Sequence, residues 1–347
     1  MRELRLKDIP FRYIDSGQHA AITHGLRRVF DLPQPDISLH KIKKDITSTE
    51  EAIRWYLRLL WKSQFDRNWL RRELFPEGGI CLIHGDTLST LLGLHMARRA
   101  GVKVAHVESG LRSFNSLDPF PEELIRIACM KRADLLFAPS REAEKNLRAM
   151  DVRGQVIHVE GNTVADSLAW MRDKVISTKH IPQNPFALAT CHRLETITNR
   201  HRLGQVVKLF NQVAETMQLI FIVHGPTKHY LKFHRLAQKL SSAIEVKDLM
   251  DYDQFITLLS SAQFILSDGG SIQEESALLG KPCLILRNKT ERQDGLDRRA
   301  VLWKFDECVS EKFLIEVSRK KMTEQTRLAS PSEQIIRHLL DFIGKPE

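Results

Sequence analysis

From residue 80 onward the chain repeats one pattern, a short apolar run followed by an amphipathic stretch, and that repetition leaves few folds open. Ile80–His84 (ICLIH) reads as a buried strand and Ser89–Ala100 as a helix. Val102–Val107 and Pro121–Ala133, Leu135–Ala138 and Arg141–Met150, then Val156–Val159 and Val164–Trp170 continue the alternation. Strands separated by helices of roughly 10 to 15 residues imply right-handed βαβ units and a parallel sheet. Near Lys174–Pro185 the pattern breaks into polar residues with two prolines, the expected linker. It restarts with strand Phe186–Thr190, helix Arg200–Met217, strand Leu219–His224 and helix Tyr230–Leu240. Strand Ile244–Val246, helix Tyr252–Ser261, strand Phe264–Ser267, helix Ile272–Leu279 and strand Pro282–Leu286 complete it.

A chain of 347 residues exceeds one ordinary core, and two domains of about 150 residues each are the natural division. The expectation is an α/β fold of two doubly wound Rossmann-like domains facing across a cleft. They would span residues 1–178 and 185–330, with a C-terminal helix in 331–347 packing back on the N-terminal domain. Open α/β sheets bind ligands at the carboxyl ends of their strands. The five cysteines lie far apart without a CxxC pair, which argues against a disulfide framework or a zinc site and suits a reducing cytoplasm. No stretch approaches the roughly 20 apolar residues that span a bilayer, and the N-terminus lacks the apolar core of a secretory signal. The formal charge of +9 favours an anionic partner. Basic residues are mixed with acids along the chain, with no zinc-finger spacing or RNP motif. A solvated basic surface or a diphosphorylated small molecule therefore fits better than nucleic acid.

Six segments carry polar chemistry at predicted strand ends. Ser267-Asp268-Gly269-Gly270-Ser271-Ile272-Gln273-Glu274-Glu275 lies between a strand and a helix. Its two glycines allow close backbone approach, and the helix start offers free N–H groups for a pyrophosphate. Ser271-x-x-Glu274 is equally a plain capping box, while Glu275 is placed to meet ribose hydroxyls. In His84-Gly85-Asp86-Thr87, Asp86 reads as a helix cap when taken alone. His106-Val107-Glu108-Ser109-Gly110-Leu111-Arg112 follows the next strand. In Pro119-Phe120-Pro121-Glu122-Glu123 the prolines start a helix, and Glu122 either meets its dipole or pairs with Arg126. Asp86, Glu108 and Glu122 nevertheless share one sheet edge, as paired acid–base work requires. In Thr190-Cys191-His192-Arg193, neighbours point to opposite faces; Cys191 is core, and His192 and Arg193 face the cleft. Thr290-Glu291-Arg292 adds a cation against phosphate or, as the plainer reading, a surface ion pair.

In this order the motifs resemble the non-hydrolysing UDP-N-acetylglucosamine 2-epimerases. HGDT, HVESGLRS, PFPEE, GNTVADSL, ATCHRLE, SDGGSIQEE, LGKPCLILR and TER run collinearly from about residue 80 to 292, and SGQHA and FDLPQPD extend a weaker match toward the N-terminus. The resemblance implies a GT-B-like fold and interconversion of UDP-GlcNAc with UDP-ManNAc for envelope polysaccharide synthesis. The route is elimination of UDP to 2-acetamidoglucal and re-addition. By position, Asp86, Glu108 and Glu122 match the family's catalytic carboxylates, His192 its histidine, and Arg126 the catalytic set. Gly269, Gly270, Ser271, Glu275 and Arg292 match its UDP contacts. Phe255 neighbours the uracil, and Arg193 is added as a phosphate or sugar contact. No metal, nicotinamide or other cofactor is implied, and a cytoplasmic homodimer is.

The sequence also departs from the pattern. The family opens with a strand and a GTRPE-type loop, whereas this chain starts at what reads as the end of the following helix. Its first sheet is then expected to lack a central strand and phosphate-facing cations, from a misplaced start or a true divergence. SDGGS stands where TDSGG is usual, and Ile125 stands where an asparagine commonly precedes the arginine. Three rival readings are a hydrolysing epimerase releasing ManNAc, a GT-B glycosyltransferase, and an impaired nucleotide-sugar binder.

Overall fold

The computed structural model describes residues 1–18, 20–40, 46, 49–115, 121–173, 181–290, 292, 294–296, 299–319 and 329–344. Pro119, Phe120, Glu291 and most of the expected linker (174–180) lie outside the described residues. The chain forms two compact units, Met1–Asp166 with Leu328–Glu347, and Ser167–Arg327. Both are α/β, and every strand pairing in them is parallel.

Unit 1 opens with α1 (Arg2–Leu6), β1 (Ile14–Asp15), α2 (Ala20–Val29), β2 (Ile37–Ser38), α3 (Thr49–Phe65) and α4 (Arg67–Trp69). Then come β3 (Ile80–His84), α5 (Leu88–Ala100), β4 (Lys103–Val107), α6 (Glu122–Met130), β5 (Leu135–Ala138), α7 (Arg141–Ala149), β6 (Gln155–His158) and α8 (Val164–Asp173), inside which the units divide. The main sheet has the order β3-β4-β5-β6, and β1 and β2 form a separate two-stranded ladder. All of β4 after Lys103 is buried, and its faces alternate, so that Val104 joins one hydrophobic cluster while Ala105 and Val107 join another. That is the side-chain period of a strand covered on both faces. Helix α6 ends at Met130, short of the expected Ala133, because Arg132 and Ala133 N–H both return to Cys129 O in a tightened last turn.

Unit 2 holds β7 (Phe186–Thr190), α9 (Leu194–Ile197), α10 (Arg200–Ala214), β8 (Gln218–Val223), α11 (Gly225–Phe233), β9 (Ile244–Asp248) and α12 (Tyr252–Ser261). It continues with β10 (Ile265–Ser267), α13 (Gly270–Leu278), β11 (Cys283–Ile285), β12 (Ala300–Leu302) and α14 (Glu307–Arg319). The sheet order is β12-β11-β10-β7-β8-β9. The chain moves outward from β7 through β8 to β9, then returns to lay β10 on the other side of β7. A topological switch point therefore lies between β7 and β10, where open α/β sheets bind ligands. Ala187 and Ala189 face one core and Phe186 and Leu188 the other. Helix α11 begins at Gly225 rather than Tyr230, since Pro226 fits a first helical turn, where its missing N–H costs nothing.

The chain ends in α15 (Pro331–Ile343), which belongs to unit 1. Ile335 and Leu339 join the cluster of Ala105, Leu135 and Ile157. Ser332 N–H donates to Asp166 (2.8 Å), Glu160 N–H to Gln334 (3.1 Å), and Lys7 pairs with Glu333 at 3.1 Å.

Candidate functional site

In unit 1 the turns after β3 and β4 are locked together. Gly85 N–H donates to Val107 O (3.2 Å), and the buried His106 ring meets Gly85 O through Nε2 at 2.8 Å. Gly110 takes φ +92°, and a Cβ there would collide with the Ala143 backbone, so only glycine closes this turn. Between them Glu108 holds φ +65°, a left-handed conformation that costs a side-chain-bearing residue of order 1–3 kcal/mol. Its Oε2 stands 3.7 Å from His84 Nε2.

Asp86 does not cap α5. Thr87 does, in a capping box with Thr90, and Thr90 Oγ1 donates onward to His84 O at 2.7 Å. Asp86 is thereby left for Arg126, whose Nη2 donates to its Oδ2. Arg126 does not take Glu122 as its partner. Its Nη1 donates to Glu123 Oε2 (3.2 Å), and Glu123 also accepts from Arg112 Nε (2.5 Å) and Ser113 N–H (3.1 Å). A chain of charges, Arg112–Glu123–Arg126–Asp86, with Glu123 and Arg126 buried at its centre, thus supports the sheet edge. Glu122 begins α6, and its Oε2 is buried with no hydrogen-bond partner among the described residues. Ile125, between these charges, is core.

In unit 2 the turns after β7 and β10 meet at the switch point. Thr190 Oγ1 and Ser267 Oγ lie 2.9 Å apart, and Gly269 N–H donates to Ser267 Oγ (3.0 Å). Asp268 is fully buried and accepts the N–H groups of His192 (2.9 and 3.0 Å) and Arg193 (2.9 Å). His192 Nδ1 lies 3.3 Å from the same carboxylate, and its ring stacks on His224 with centroids 4.5 Å apart. Cys191, in contrast, packs in the core.

Helix α13 starts at Gly270 with Gly269 as N-cap, no capping side chain, and no acid in its first turn. The capping-box reading of Ser271 and Glu274 therefore fails: Ser271 is exposed, and Glu274 pairs with Arg292. A helix start of this kind leaves N–H donors open to an anion. A Cβ on Gly269 would come 3.2 Å from His192 Cε1. Glu275 is buried and accepts from Tyr252 O–H at 2.8 Å, and Phe255 lies partly buried on α12.

Burial raises Glu275 to about 7, against the opposing pull of the Tyr252 hydroxyl and Arg292. Burial lowers His106 and His224 to about 4, so both are neutral imidazoles at pH 7. His192 is lowered by burial too, with Asp268 pulling the other way. Burial pushes Glu123 up, but Arg112, Ser113 N–H and Arg126 outweigh it and hold the carboxyl below its ordinary range.

Asp86 and Glu108 stand just past β3 and β4 in unit 1, with Glu122 at the start of α6; in unit 2, His192, Arg193, Gly269, Gly270 and Ser271 lie at the turns after β7 and β10, Glu275 within α13, Phe255 within α12 and Arg292 after β11. Sequence reasoning missed Glu123, Arg112, His84, Asp268, His224 and Tyr252. His84 and His224 were findable, since each stands at the C-terminal end of a strand. Asp268 lay inside a motif valued for its glycines. Among the described residues no group of His, Cys, Asp and Glu is arranged to hold a metal ion, and no helix is long and apolar enough to cross a membrane.

Comparison with known proteins gives one consistent result. Residues 2–319 match the sequence profile of a family described as UDP-N-acetylglucosamine 2-epimerase. A Bacillus subtilis (strain 168) protein of that name is 31% identical over 310 residues, 85% of this chain and 76% of its own length. One from Methanocaldococcus jannaschii is 33% identical over 232 residues, so the match covers 62% of that relative's length. The crystal structure of the M. jannaschii UDP-GlcNAc 2-epimerase with UDP-GlcNAc and UDP superposes with a TM-score of 0.81 at 26% identity. The superposition covers 98% of this chain and 94% of that one.

Proposed function

Because the chain belongs to the UDP-N-acetylglucosamine 2-epimerase family, we propose that it interconverts UDP-GlcNAc and UDP-ManNAc without net hydrolysis. The observation that carries this reading is the sheet edge of unit 1. There Asp86 follows β3 while Glu108 and Glu122 both lie in the connection from β4 to β5, and one Glu122 oxygen is buried without a partner among the described residues. The proton on C2 of the sugar is barely acidic, since no carbonyl adjoins it. Breaking the C1–O bond to UDP first builds cationic character at C1. Removal of the C2 proton by a carboxylate then closes the C1–C2 double bond of 2-acetamidoglucal. A second carboxylate returns a proton to the opposite face of C2, and the UDP oxygen re-forms the bond to C1. Paired carboxylates with different environments suit this exchange. Asp86 is paired with Arg126, whereas Glu122 offers a buried oxygen with no partner among the described residues.

Unit 2 is assigned the nucleotide. The N–H groups of Gly270 and Ser271 and the Ser271 hydroxyl receive the diphosphate, with Gly269 allowing close approach. Arg292, paired with Glu274 and tied to Gln273, supplies a cation. Glu275 takes the ribose hydroxyls, Phe255 neighbours the uracil, and His192 and Arg193 face the phosphate or sugar.

The reading is tested by incubating the purified chain with UDP-GlcNAc in deuterated water. Deuterium at C2 and appearance of UDP-ManNAc are expected, with no added acceptor or metal. Free ManNAc with stoichiometric UDP would replace it by hydrolysing epimerisation, and UDP binding without exchange would reduce the chain to a binder.

Glu275 adds a pH signature. Its carboxyl ionises near 7, so above that value it accepts hydroxyl hydrogen bonds and below it loses one acceptor oxygen to a proton. Affinity for UDP-GlcNAc, whose phosphate diester does not titrate there, is expected to weaken by up to about tenfold from pH 8 to pH 6. Calorimetric titration of Glu275→Gln should show a flat profile, and an unchanged slope would remove Glu275 from the ribose.

A further inference from the structure

Two histidines lie close to Glu108 in unit 1, and their surroundings differ. His106, on β4, is fully buried with Nε2 on Gly85 O, and burial lowers it to about 4, so it is a neutral imidazole that fixes the turn. His84 ends β3 with its side chain 55% exposed, and its Nε2 stands 3.7 Å from Oε2 of Glu108, whose own side chain is only 11% exposed. The imidazole is mounted on a fixed backbone. His84 pairs with Val107 in the β3–β4 ladder, and its carbonyl accepts from Thr90 Oγ1 at 2.7 Å. The Glu108 carboxylate lies over the His84–Gly85 turn, with Oε2 3.5 Å from the position that a Gly85 Cβ would take. A largely buried carboxylate thus has an exposed imidazole beside it, and imidazole is the side chain suited to gaining and losing a proton near neutral pH.

Epimerisation by two carboxylates creates a requirement that the carboxylates alone do not meet. One takes the C2 proton and the other gives one up, so each turnover ends with their protonation states exchanged. The next turnover in the same direction needs one proton removed from the first and one supplied to the second. We propose that His84 carries this proton between Glu108 and solvent, an inference that rests on the epimerase reading with Glu108 as one of the pair. When Glu108 is the acceptor, the C2–H bond breaks, its electrons close the C1–C2 double bond as the UDP oxygen leaves, and the proton settles on Glu108. Glu108 then donates it to Nε2 of neutral His84, and the imidazolium releases its Nδ1 proton to water, which restores a carboxylate and a neutral ring. When Glu108 is the donor, the same atoms carry a proton inward from water. The 3.7 Å separation is closed by a small side-chain rotation, and contacts of this kind are often long until a substrate is bound. His106 cannot serve, since its side chain reaches no solvent. His84 acts through Glu108 and is assigned no contact with the sugar.

The test compares the full chain with His84→Gln and His84→Ala in two regimes. With UDP-GlcNAc in excess and a dilute buffer free of imidazole, both variants are expected to lose about 10- to 100-fold in kcat for UDP-ManNAc formation. With enzyme in excess, the first turnover should keep its rate within about threefold, because the chemical steps precede the reset. Added imidazole should bring His84→Ala back to within about threefold of wild type, which a merely structural role of the ring would not allow. Glutamine keeps a hydrogen-bonding side chain beside Glu108 but cannot relay a proton, so turnover of His84→Gln at the wild-type rate overturns the proposal. An equal fall of first-turnover and steady-state rates that imidazole leaves unrepaired overturns it too, and confines His84 to positioning Glu108. The ring is exposed, so both variants should keep the wild-type circular dichroism; if His84→Ala does not, the ratio of the two rates in His84→Gln decides. Failure of the epimerase reading is separately visible as absence of C2 deuterium exchange in the wild-type chain, and it would overturn the relay as well.

Discussion

Glu108→Gln is expected to lower the rate of C2 deuterium exchange by about 10³-fold while changing UDP affinity less than about threefold. The split follows from where the residue stands. Glu108 directly follows β4 in unit 1, whereas every residue assigned to UDP belongs to unit 2. Glutamine keeps the shape of the side chain and removes only its capacity to take or give a proton. Glu108→Gly sharpens the argument. With φ at +65° the native residue is strained, and glycine relieves this, so the variant should be about 1 kcal/mol more stable in urea unfolding yet inactive. Stability gained with activity lost is the mark of a conformation kept for chemistry. Equal loss of UDP binding and exchange in Glu108→Gln would move this residue out of the proton-transfer role.

Much of this was legible because parallel strands buried on both faces leave a strong trace. Phe186–Thr190 and Leu135–Ala138 coincide with the observed strands, and the end of the first opens the Thr190–Arg193 motif. Partner choice was less legible. The spacing of Glu122 and Arg126 predicts an i,i+4 pair, but Arg126 must reach Asp86 on another element, and only Glu123 lies on the side where Arg112 and Ser113 also converge. Likewise Asp86 looks like a cap until Thr87 and Thr90 cap each other. Such choices depend on which side chains come together across the sheet edge, and local spacing does not encode that. The stretch before residue 80 shows no repeating alternation, so helix α3 within it is not marked by the pattern that announces the later elements.

Asp268→Ala is expected to cost about 2–5 kcal/mol of stability and to reduce exchange at C2 by two to three orders of magnitude, roughly. The buried carboxylate accepts the N–H groups of both His192 and Arg193. Alanine leaves these donors without their acceptor, and each orphaned buried group costs about 1–3 kcal/mol. Loss of stability alone would fit a merely structural residue, so the decisive measurement concerns His192. Its ring is lowered by burial and held up by the Asp268 charge. Asp268→Asn removes the charge and keeps the volume, so the His192 titration followed by nitrogen-15 NMR should move further down. kcat should fall with little change in KM, because the turn still forms but the imidazole has lost its orienting partner. An unmoved His192 titration in a folded Asp268→Asn would leave the carboxylate only its backbone role. A shift accompanied by lost turnover would make Asp268 the positioning residue through which the β10 turn orients the histidine after β7.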